Sequence, residues 1–187
     1  MRDSRLVSLL LLAMGLALGQ AEPSRHYLTV GTGVAIPAAG YKVYDFDTSP
    51  AVGVNYELRF SPYAGAEVGF DAILGSRTLY YKFGLQRERA NVFLVPFGLR
   101  GYLPVGRFEL SAGLGGARTQ YSDSKLCCNC CGYASSWLVQ SGGGIRVRLD
   151  ALGRYRAGVS ARLYRDVSAP TQQWIDVSGT LTYRLGR

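Results

Sequence analysis

Four cysteines crowd into five residues, Cys127-Cys128-Asn129-Cys130-Cys131, and the chain has no others. The run contains two overlapping C-x-x-C pairs, and thiolates so spaced can hold zinc or an iron–sulfur cluster. Five consecutive residues can hardly set four sulfurs at the corners of a tetrahedron, however, and no His lies in the segment. In an oxidising compartment the same cluster forms disulfides. Disulfides among Cys127, Cys128, Cys130 and Cys131 are the expected state; metal binding and free or cross-linking thiols are the competing ones. Four cysteines allow three pairings, and the spacing does not choose among them. No cofactor is expected and no metal ligand is assigned.

The other candidate chemistry is sparse. His26 is the single histidine, and a lone imidazole without an evident partner is a weak base candidate. Glu57 and Glu67 could form a carboxylate pair, but they read as members of a larger charge pattern. No catalytic residue is assigned, and the chain is not expected to be an enzyme. The segment 74–90 carries Arg77, Lys82, Arg87 and Arg89 beside Tyr80, Tyr81 and Phe83. Basic charge next to aromatic rings suits an anionic surface such as lipopolysaccharide, or an acidic partner.

The elements that position these groups begin after a leader. Arg2 and Arg5 precede an apolar run at 6–18, and small residues flank a cleavage position after Ala21. This predicts a signal peptide over 1–21 and a mature domain over 22–187, because 13 apolar residues fall short of the ~20 that a spanning helix needs. An exported chain has little occasion to meet nucleic acid.

The mature sequence alternates with period two almost throughout. Eight strands are predicted, at 27–36, 51–60, 63–73, 91–102, 107–118, 136–149, 154–164 and 174–185. Tight turns near 61–62, 104–106 and 150–153 alternate with longer polar connections at 37–50, 74–90, 119–135 and 165–173. One short end and one long end suit an eight-stranded antiparallel up-and-down transmembrane β-barrel. Its polar face holds Glu57, Arg59, Glu67, Asp71, Arg100, Glu109, Arg146, Arg148, Arg156, Arg162, Asp176 and Arg184, mixed with Gly and Ser. Lys42, Lys82 and Lys125 are the only lysines. Arginine forks bind carboxylates at two points, so this face predicts a lumen charge network. Its small residues suit a narrow interior filled by side chains. On the apolar face Phe60, Tyr63, Phe108, Tyr155 and Tyr183 fall towards the short turns, with Trp137 and Trp174 towards the long loops. These predict two aromatic girdles.

With this pattern the chain resembles the small eight-stranded outer-membrane barrels: the OmpA transmembrane domain, OmpX and the opacity-type proteins. The resemblance spans roughly 27–187 and rests on architecture. It includes the alternating last strand, Leu181, Tyr183 and Leu185, although Leu185 stands where the family closes on an aromatic. The resemblance implies a location in the bacterial outer membrane, among its lipid and lipopolysaccharide, after insertion by the barrel-assembly machinery. The expected function is a structural scaffold displaying surface loops for envelope integrity or adhesion, as a monomer, with a surface ligand at the loops. The alternatives are a narrow channel and a soluble ligand-binding barrel in the periplasm.

Overall fold

The computed structural model describes residues 25–39, 44–81, 84–123, 135–167 and 173–186. The predicted leader, its expected cleavage position and the cysteine cluster lie outside the described residues. The strands are β1 (Arg25–Ala39), β2 (Tyr44–Phe46), β3 (Ser49–Arg59), β4 (Ala64–Tyr81), β5 (Gly84–Val105), β6 (Phe108–Asp123), β7 (Trp137–Arg148), β8 (Tyr155–Asp166) and β9 (Gln173–Leu185). The short β2 runs beside the far end of β4, in line with β3. The two form one stave, and the barrel has eight staves, all antiparallel. β1 pairs with β3 on one side and β9 on the other, so the first and last staves meet. Closure leaves the sheet without an edge that could recruit another strand.

The alternation puts apolar side chains outside. Val30, Val54, Phe70, Leu99, Leu110, Ile145, Val159 and Leu181, one from each stave, are 40–56% exposed. On the inner face Glu57 is 0%, Arg100 3%, Arg146 5% and Arg162 8% exposed. A barrel folded for water has the opposite polarity, because apolar burial drives its folding. The short-turn girdle lies outside as expected: Tyr63, Phe108, Tyr155 and Tyr183 are exposed, with Tyr155 and Tyr183 packed 5.1 Å apart. Trp137 is exposed and edge-on to Phe97. Trp174 corrects the expectation for the other girdle. It is 3% exposed and points inward, because it sits one residue from the outward Ile175 and parity alone decides its face.

The segment 74–90 is no irregular loop. β4 and β5 pair as far as Tyr81 and Gly84, so a long hairpin rises past the barrel mouth. Its strands are invisible to hydrophobic periodicity because its apolar residues do not alternate with polar ones, while the backbone ladder continues regardless. Within the barrel, Pro96 interrupts the same ladder. Pairing skips from Val68 with Phe97 to Asp71 with Leu94, since proline has no N–H to donate.

The tight turns sit close to their expected places. The second is Gly106-Arg107, with Gly106 at φ 61°, a left-handed conformation that glycine adopts without Cβ strain. In the third, the Asp150 carboxylate accepts the N–H groups of Tyr155 (2.9 Å) and Arg154 (3.1 Å). The Tyr155 bond foremost, and the Arg154 bond with it, hold the carboxyl below its ordinary range. A lowered folded pKa stabilises the turn above the unfolded value of about 3.9, and that contribution is lost as pH falls through the folded value. The Tyr155 amide proton shift is therefore expected to titrate below the ordinary Asp range in NMR spectra. In Asp150→Ala the titration disappears.

Candidate functional site

Inward positions bring the charges together in the half of the lumen nearer the short turns. Arg146 on β7 grips Glu57 on β3 with both terminal nitrogens, one of them at 3.0 Å. In a ring of eight staves, β3 and β7 face each other, so this pair spans the lumen. Arg162 on β8 likewise crosses to β4, where it donates to Glu67 (3.2 Å) and Asp71 (3.1 Å). Arg59 donates to both oxygens of Glu109 (2.7 and 2.8 Å), and Arg156 shares that carboxylate at 2.5 Å. Arg100 binds Glu67 at two points, 2.9 and 3.0 Å. Glu57 and Glu67 are direct cross-strand partners, a like-charged juxtaposition that is unfavourable by itself. Each is neutralised by different arginines, which removes the conflict.

Polar and aromatic groups complete the network. Tyr102 donates to Glu57 at 2.9 Å, Tyr164 to Asp71 at 2.7 Å, and Arg162 reaches Asn55 at 3.1 Å. The Arg59 guanidinium lies 3.6 Å from the Tyr102 ring centre and 4.3 Å from that of Tyr27, a cation between two aromatic faces. Gly53 makes room for one of these contacts. A Cβ there would fall 2.0 Å from an Asp71 carboxylate oxygen, so the absent side chain lets Asp71 lean across towards Arg162.

Three expected members sit apart from the ion pairs. Asp176 accepts from Ser178 at 2.7 Å and forms no ion pair among the described residues, although it is the backbone partner of Arg162. Arg148 and Arg184 are half-buried near the short-turn end and meet no carboxylate among the described residues. Strand ends lie close to water, which solvates a guanidinium without a counter-ion.

Above the charges lies a feature that the sequence reading missed. Ala35, Ala51, Ile73, Val92, Leu94, Ala117, Leu138, Tyr164 and Trp174 form one buried apolar cluster. Every stave contributes, so the cluster is a collar around the lumen at the long-loop end. The signal was available: Leu94-Val95 and Leu138-Val139 are apolar doublets in which only one member can face outward. The collar excludes water from the ion pairs beneath, which strengthens them electrostatically. The lumen's polar cavity, about 20 Å³ and bordered by Thr29, Asn55, Asp71 and Arg162, has room for about one water molecule. It fits no organic ligand.

The remaining chemistry is modest. The His26 Nδ1 hydrogen-bonds the Tyr56 hydroxyl, and both residues are half-buried near the short-turn end. Among the described residues, no group of three or more His, Cys, Asp or Glu is placed to hold a metal ion.

No protein-family model matches the sequence, and no curated protein sequence matches it. Solved structures do match. The outer membrane protein OprG of Pseudomonas aeruginosa aligns with a TM-score of 0.71 at 12% identity, over 89% of this chain and 98% of that one. Neisserial surface protein A aligns with a TM-score of 0.65 at 7% identity, covering 87% and 99%. The attachment invasion locus protein Ail of Yersinia pestis, in complex with a heparin analogue, gives 0.54 at 14% identity, covering 87% and 97%. At these identities the likeness is one of fold, and that fold is the small eight-stranded barrel.

Proposed function

We propose that this chain is an integral outer-membrane barrel without enzymatic activity, whose role is to hold its long-loop end at the cell surface. The carrying observation is the inverted polarity: an apolar exterior on every stave around a buried, charge-paired lumen. Only a hydrocarbon solvent makes that arrangement favourable. The names of the similar folds, outer-membrane and surface proteins, support the location. The apolar collar and cross-lumen pairs support a closed scaffold over a channel, and the small cavity argues against a soluble carrier of ligands. In this reading export depends on the leader, insertion uses the barrel-assembly machinery, the barrel works as a monomer, and the four long connections serve envelope integrity or adhesion.

The test is physical. Cell envelopes expressing the chain are extracted with carbonate, and the pellet is run on a gel with and without boiling. The protein is expected in the carbonate-insoluble fraction, with unboiled material migrating faster than boiled. Release by carbonate without detergent overturns the membrane reading.

A further inference from the structure

We propose that the outward face of β4–β6, at the long-loop end, is a binding site for one phosphorylated glycolipid of the outer leaflet. The inference rests on the membrane reading above and deepens it by naming a lipid partner and its contacts.

An open groove of about 310 Å³ runs along this face. Its floor is apolar: Phe70 and Phe93 stack with ring centres 5.9 Å apart, and Val95 lies beside them, 43% exposed. Its rim is polar, made by Arg118, Gln120 and Ser135. Arg118 is held in place there. Its Nη2 donates to the Ser135 hydroxyl at 2.7 Å, and its guanidinium lies 4.9 Å from the centre of the outward Trp137 ring. An outward arginine is costly at the bilayer midplane and nearly free at the interface. Arg118 therefore marks headgroup depth on this face; its cross-strand partner is Val95, and Phe93 pairs with Gln120 two residues nearer the long loops.

A groove with an apolar floor and a fixed guanidinium complements a ligand with acyl chains and phosphate. Arginine is suited to phosphate because its planar fork donates two parallel hydrogen bonds. A sugar-based headgroup further matches Gln120 and Ser135, which add neutral hydrogen-bonding groups beside the charge.

The test uses the full chain folded in neutral phosphatidylcholine nanodiscs, with Trp174→Phe so that Trp137 is the reporting indole. Bisphosphorylated lipid A is titrated while Trp137 fluorescence is followed; dephosphorylated lipid A and phosphatidylglycerol are titrated in parallel. Saturable binding of bisphosphorylated lipid A is expected, weakened about tenfold by Arg118→Ala, as for the loss of one charge-assisted contact. Heat-modifiable migration of each variant confirms that it is folded. Equal binding of the dephosphorylated lipid, or unchanged affinity in Arg118→Ala, overturns the site. Equal binding of phosphatidylglycerol overturns the glycolipid assignment. A barrel that inserts and shows none of this binding refutes the site alone, whereas a chain that never inserts refutes the membrane reading.

Discussion

Glu57→Ala is expected to lower the stability of the folded barrel by about 3–5 kcal/mol, the range for removing one partner of a buried ion pair. Glu57 is fully buried. It accepts from Arg146 at two points, from Arg59 at 3.3 Å, from Tyr102 at 2.9 Å and from Thr29 at 3.3 Å. Arg59 keeps Glu109 when Glu57 is removed. Arg146 keeps no ion pair among the described residues and is left buried with only its cross-strand neighbour Glu109, already shared by Arg59 and Arg156, to offset its charge. The loss is read from urea unfolding in lipid vesicles, followed by tryptophan fluorescence. Arg146→Ala in the same background is expected to recover part of it, with a coupling of about 1–3 kcal/mol in the double-mutant cycle. If Glu57→Ala costs no more than an ordinary surface change, about 0.5 kcal/mol, the cross-lumen pairs do not hold the walls together.

The second large effect is expected at Val159. This residue sits near the middle of β8, points outward with 52% exposure, and faces Ile145 and Gly179 on the neighbouring strands. Val159→Arg is expected to cost about 2–4 kcal/mol in a bilayer, the penalty for arginine on the lipid face at mid-depth. The same change at Leu152, in a short turn and 69% exposed, is expected to stay within about 0.5 kcal/mol. The contrast between the two sites carries the test. A water-soluble barrel with valine on a wetted surface would accept arginine equally well at both, so equal tolerance would contradict the membrane reading. Val54, outward on β3 and 40% exposed, serves as an independent repeat on another stave.

These two variants probe the two faces of one wall, and the faces were legible to different degrees. Along β8, Tyr155, Ala157 and Val159 alternate with Arg156, Gly158 and Ser160, so chemistry and geometry share one period and the outward set could be read directly. The inner set was legible by type wherever it was charged. It was not legible where it was apolar: Leu94, Leu138 and Trp174 look like any other greasy residue, and only parity separates them from the outward apolar belt. Trp174 shows what happens when residue type is allowed to outweigh parity. The hairpin above the mouth failed for the complementary reason. Its apolar residues, Leu79, Tyr80, Tyr81 and Leu85 among them, do not recur at every second position, so a continuous backbone ladder left no period-two trace.

The sequence by itself determined the number of staves, the tight turns between them at one end, and which charged residues face inward, because all three depend on local period and turn chemistry. It could not determine which arginine meets which carboxylate. Arg146 and Glu57 are 89 residues apart and Arg162 and Asp71 are 91 apart; they meet because closing eight tilted staves sets β7 opposite β3 and β8 opposite β4. The apolar collar and the Arg118 groove have the same origin. Each is assembled from residues on several strands, and the register of the closed barrel alone places them side by side.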